Sequence, residues 1–175
     1  MVIYLDRIDD LYYQGHLKKV EPSPLKSALS LKEAKIWLKE AELTFEHGYH
    51  RSTRISVYFA FLHATRAVTL RDGILETESH YLLDYLEKYC AEGSLKPECL
   101  DMLNYMFDIH YQDQHHFQCT RNPQEIQQAI RYCHVYIKNI KVFLDKTNRL
   151  PKAVIKNALR EKELEKSESL HNKDL

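Results

Sequence analysis

The chain has 175 residues, 44% of them hydrophobic and 29% charged, the balance of one soluble globular domain with a real core. Basic and acidic residues are equal at 25 each, so no global field draws in a polyanion, and nucleic acid would have to be held by a local patch. No apolar run reaches the roughly 18 residues of a membrane span, and the opening MVIYLDRIDDLYYQG carries acids where a leader peptide needs a basic patch, so a cytoplasmic protein with no membrane partner is expected.

A short helix is predicted over 3–14, then a turn through LKKVEPSP, whose prolines forbid continued helix. Ser30 and Glu33 form a capping-box pattern that opens a helix to about His47, with Ala34, Leu38, Ala41 and Phe45 at helical spacing and Trp37 beside them. The next helix, about Arg51 to Arg71, is apolar round much of its circumference through Ile55, Tyr58, Phe59, Phe61, Leu62, Ala67 and Val68. That marks the most buried helix of a bundle. A shorter helix spans about His80–Ala91, and another begins near Pro97. Asn122, Pro123 and Glu125 supply a cap, a first-turn proline and an acid for a last long helix ending near Lys146. Gly15, Gly48, Gly73 and Gly93 each follow a helical run, where a left-handed C-terminal cap sits. Nothing alternates with period two long enough to be a strand. The expected fold is all-α: an up-and-down bundle of four to five helices, the N-terminal one short, over residues 1–149, then a charged tail or helix over 150–175. Cys90, Cys99, Cys119 and Cys133 form no CxxC pair and read as free thiols, mostly packed as small apolar groups. The tyrosines, Tyr12 and Tyr13 among them, read as packing at helix contacts.

Residues 108–117, DIHYQDQHHF, concentrate titratable groups on one late helix. Three readings stand: a polar helix end at an interface, a nuclease or nucleotide-contacting site, and a metal site. The metal reading uses His115 and Cys119 one turn apart, with His116 adjacent and Asp113 within reach. Structural zinc usually takes four ligands in tight local spacing, and no metal or other cofactor is expected. On a regular helix His110 and His115 diverge by about 140°. They could act together only if the helix ended or bulged between them, or if a second protomer completed the site. Arg51 and Arg54 open the central helix as a modest cationic patch, with Lys18 and Lys19 as candidates to join it; with Arg66 they are the candidate phosphate or nucleotide contacts. The alternatives are a solvated helix end for Arg51 and Arg54, an ion pair for Arg66, and for His63 a buried ring bonded to a backbone carbonyl.

GHLKKVEPSP (15–24), RISVYFAFLHATRAVTLRDG (54–73) and SHYLLDYLEKY (79–89) resemble the HEPN family in its archaeal-type branch, in order over about residues 3–145. The resemblance implies a helical bundle that dimerises and is often encoded beside a small MNT-type nucleotidyltransferase in toxin–antitoxin pairs. Active members are metal-independent ribonucleases with an arginine followed on the same helix by a histidine. Carried onto this chain, His110 stands where the motif arginine would be, Asp113 and Gln114 match, and His115 takes the histidine's place. The implied roles are His115 as base, His110 as acid or phosphate contact, and Asp113 as the orienter that raises the His110 pKa. The missing guanidinium is a real departure, because it is always charged and grips phosphate through two parallel donors. Two functions follow. One is an RNase-like, toxin-type component acting on RNA at a homodimer interface. The other is a non-catalytic bundle that binds a nucleotide or a nucleotidyltransferase partner.

Overall fold

The structure, a computed structural model, describes residues 2–115 and 122–147, with side chains from Arg7 onward. His116, Cys119 and the expected tail over 150–175 lie outside the described residues. Among the described residues six helices and a two-stranded ribbon follow in the order α1 (Val2–Tyr13), β1 (Leu17–Lys19), α2 (Pro24–Glu46), α3 (His50–Asp72), β2 (Ile74–Glu76), α4 (Tyr81–Ala91), α5 (Glu98–His115) and α6 (Pro123–Thr147). The architecture is an all-α bundle.

Small side chains decide how α2 meets α3. Ser27, Ser30, Ala34 and Ala41 of α2, and Ala60, Ala64 and Ala67 of α3, are all buried. They recur at steps of three, four and seven, which keeps them on one face of each helix, and their shortness lets the two axes approach closely. The serines hydrogen-bond across the seam. Ser27 Oγ donates to the Ala67 carbonyl at 2.5 Å and Ser30 Oγ to the His63 carbonyl at 2.8 Å. Ser30 is therefore a seam residue and not a cap. The helix begins earlier, where Ser23 Oγ accepts from the Lys26 amide at 3.2 Å and Pro24 opens the first turn.

Twelve residues of α3 are buried, which makes it the central helix as its sequence predicts, although Ile55 is 46% exposed. On its far side Phe61 packs on Tyr136 of α6, with ring centroids 4.8 Å apart. The Tyr136 hydroxyl, fully buried, meets Thr65 Oγ1 at 2.7 Å, so this polar group inside the core is satisfied. Cys99 and Cys133 are buried thiols, and burial pushes the Cys99 thiol up to about 11.

The ribbon departs from the strand-free expectation. β1 and β2 pair antiparallel in the register Leu17↔Glu76, Lys18↔Leu75 and Lys19↔Ile74, and three residues per strand are too few for alternation to show in sequence. Leu11, Leu17, Ile74 and Tyr85 form a second small core beneath it. Asp72 ties this end together: its Oδ2 accepts from the hydroxyls of Tyr85 at 2.9 Å and Tyr89 at 2.5 Å, and its Oδ1 from Arg71 Nε at 2.8 Å. Arg71 also lies over the Phe143 ring at 4.7 Å and donates to Thr147 Oγ1. Tyr13 stands 93% exposed, against the expectation that it packs.

The turn from α3 into β2 needs glycine twice over. Gly73 has φ 74°, and a Cβ there would lie 2.3 Å from the Val20 carbonyl oxygen and 2.9 Å from the Pro22 ring. Left-handed strain and the backbone clash together give an expected cost of about 2–4 kcal/mol for Gly73→Ala, measured as a lowered urea midpoint at unchanged slope.

Candidate functional site

Two rows of side chains join α3 to α5. Arg54 and Tyr58 stand one turn apart on α3; Asp113 and His110 stand nearly one turn apart on α5. Arg54 Nε donates to Asp113 Oδ2 at 2.7 Å, with the two side chains only 13% and 20% exposed. The Tyr58 ring lies flat on the His110 ring, with centroids 3.6 Å apart and planes 12° apart. The Tyr58 hydroxyl reaches across to Ser79 Oγ, just before α4, at 3.0 Å.

Between the start of α4 and the length of α5 these contacts frame an open groove of about 690 Å³. Its ring-bearing lining residues are Tyr58, His80, Phe107, His110, Tyr111 and His115. α5 runs regularly from His110 to His115, the last residue of the described helix, and both side chains line the groove. The groove takes in about 160° of the helix circumference at about 100° per residue. His110 sits at one edge of that arc, and His115 near the other, with its ring 4.4 Å from that of Tyr111.

The surroundings of His110 favour its neutral form. Burial pushes its pKa below the ordinary histidine value, against the smaller upward pull of Asp113. The sequence reading expected Asp113 to win. The carboxylate is engaged by Arg54 instead, and a compensated acid raises its neighbour less than a free one. Gln114 Nε2 lies 3.0 Å from His110 Nε2. An amide nitrogen can only donate, so that ring nitrogen presents its lone pair.

The other candidates scatter. Asp113 faces Arg54, outside the groove lining. Arg51 is exposed at the start of α3, and Lys18 and Lys19 belong to the ribbon near its far end, about 30 Å away at the rise of a helix, so they add nothing to an Arg51 patch. Arg66 Nε donates to Glu76 Oε1 at 2.5 Å, an acid on β2 whose side chain is 3% exposed. It sits about 18 Å along α3 from Arg54, so the three arginines do not converge. The His63 ring meets Ser30 Oγ at 3.4 Å, and its pKa is lowered by burial and then by Arg66. Among the described residues no group of three or more histidine, cysteine or acidic side chains is placed to hold a metal ion. Tyr58, Ser79 and His80 are groove residues that the sequence did not single out as such, although the SHY run at the start of α4 contains Ser79 and His80.

Two measurements test this geometry. Tyr58→Leu, which uncovers the imidazole, raises the His110 pKa toward about 6.5, and Asp113→Asn lowers it further; both are read from NMR titration of the ring. Because the folded-state pKa lies below the unfolded one, His110 withdraws stability as pH falls through about 6.5 and no more once it is protonated in both states, and His110→Gln removes that component. Asp113→Ala, which strands a mostly buried guanidinium, costs about 2 kcal/mol in urea unfolding. The pair Arg54→Met with Asp113→Leu costs less than the sum of its single changes.

No curated protein matches the chain in a sequence comparison. The family description "HEPN domain" matches residues 27–142, which run from α2 into α6 and include every helix that lines the groove. With more than half of its length matched, the chain belongs to the HEPN domain family.

Proposed function

We propose that this protein cleaves RNA without a metal in the groove between α4 and α5. The observation that carries the reading is that two imidazoles of one helix open into a single groove, with His110 kept neutral. Cleavage through the 2′-hydroxyl needs a base to take its proton and an acid to protonate the departing oxygen. His110, neutral and with a lone pair on Nε2, suits the base once the 2′-hydroxyl displaces Gln114. His115, at the exposed end of the described helix, suits the acid. The hydroxyl oxygen then bonds to phosphorus as the bond to the 5′-oxygen breaks, leaving a cyclic phosphate and a free 5′-hydroxyl. This reverses the roles implied by the resemblance, because His110 is the ring that burial deprotonates. Asp113 acts at one remove: held by Arg54, it fixes the turn of α5 that carries both histidines. In the same reading the protein is the toxin-type half of an archaeal-type, two-component module in the cytoplasm. It works as a homodimer beside a small nucleotidyltransferase.

A second reading has its own support. Among the described residues no lysine or arginine lines the groove, and Arg54 is engaged by Asp113, so charge building on phosphoryl oxygens has no fixed cation beside it. That favours a non-catalytic bundle which binds a nucleotide or its partner protein.

Incubation of a defined RNA with the purified protein in EDTA, from about pH 5 to 8, separates the two. The nuclease reading expects EDTA-resistant cleavage that falls about 100-fold or more in both His110→Ala and His115→Ala. Its acid limb lies below about pH 6.5, because the base loses activity only on protonation. Equal cleavage by wild type and His115→Ala sinks it.

A further inference from the structure

The groove is poor in groups that hold phosphate and rich in groups that hold a base. Six rings line it, while its charged residues besides the histidines are two acids, Glu78 and Asp108. Glu78 lies 3.5 Å from His80 Nδ1. Asp108 is exposed on α5, and Asn104, one turn earlier, offers its Nδ2 to Asp108 Oδ2 at 3.5 Å, the outer limit of a hydrogen bond. Asn104, Asp108, Tyr111 and His115 follow one another at steps of four, three and four, so they share one face of α5, and all four line the groove. Along that face come an amide donor, a carboxylate, a flat ring that is 61% exposed, and an imidazole.

We infer that this face takes one unpaired guanine of single-stranded RNA, an inference that rests on RNA being the substrate proposed above. The base stacks on Tyr111, as unpaired RNA bases do on exposed aromatic rings. Guanine is the one common base whose pairing edge offers two adjacent donors, N1–H and the N2 amino group, with the O6 acceptor beside them. A carboxylate accepts both donors through charge-assisted bonds, and the neighbouring amide donates to O6. Adenine and cytosine set a ring-nitrogen lone pair next to their amino group, which the Asp108 carboxylate repels. Uracil has a single N–H flanked by two carbonyl oxygens. From Tyr111 to His115 the helix rises about 6 Å, roughly the span from a stacked base to its own phosphate. The phosphate next to the bound guanine therefore meets an imidazole, and the acids stay with the base edge.

The experiment uses 2′-O-methylated oligouridines, which cannot be cleaved through the 2′-oxygen, each with one central guanosine, adenosine, cytidine or inosine. Fluorescence anisotropy reads their binding to the full chain. Guanosine is expected to bind about ten-fold or more tighter than adenosine or cytidine, with inosine, which lacks the N2 amino group, in between. Asp108→Asn erases the preference. Equal binding of all four oligomers, or a guanosine preference that survives Asp108→Asn, overturns the inference. If circular dichroism shows that the variant does not fold, the guanosine and inosine comparison on the wild-type chain decides, and equality overturns it. Cleavage of unmodified RNA with no base preference removes this inference and leaves the nuclease reading. Guanosine preference with no cleavage does the reverse.

Discussion

Helix α3 spends almost its whole surface on neighbours, and that constraint organises the molecule. One side is given to the seam of alanines and serines with α2, another to Tyr136 and its helix, and the row through Arg54 and Tyr58 to α5. A helix so enclosed cannot shift without disturbing several partners at once, because close-packed interiors transmit displacement. Polar groups on it must find partners inside the protein, and they do: Thr65 with Tyr136, and the His63 and Ala67 carbonyls with two serines of α2. α3 is thus a rigid reference against which the groove helices are set.

The departure at position 110 has a structural counterpart. A guanidinium on α5 would carry charge into the groove, whereas His110 fills its place as a neutral plate on Tyr58. The guanidinium that does approach this end of α5 comes from α3 and meets Asp113 on the side away from the groove. Charge and stacking have been divided between two neighbouring rungs: one holds the helix down, the other shapes the site. The groove is left aromatic and slightly acidic, and selectivity for a base follows more naturally from such a lining than a grip on phosphate does.

Most of the helical layout was legible because glycines and prolines punctuate this chain. All four glycines have positive φ at the ends of their runs, and Asn122 caps α6 by accepting from the Gln124 amide at 3.0 Å. The errors share a cause. Ser30 followed by Glu33 has the same letters whether the serine caps a helix or lines a seam, and only the position of α3 decides. The ribbon is too short to show a period. Arg54 and Asp113 are 59 residues apart, so neither their pairing nor its effect on His110 can be read from local spacing. The angular divergence of His110 and His115 was read correctly, but the breadth of the groove that admits both depends on where α4 begins. Sequence therefore picked out the helix that carries the titratable cluster, and tertiary contacts determined which of its side chains face one another.

Tyr58 touches both walls of the groove at once, its ring against α5 and its hydroxyl against Ser79, two residues before α4. A phenol has a fixed length and only two soft torsions, so it acts as a gauge that sets the gap between the walls. Both walls of the groove are thereby tied to the central helix through one side chain.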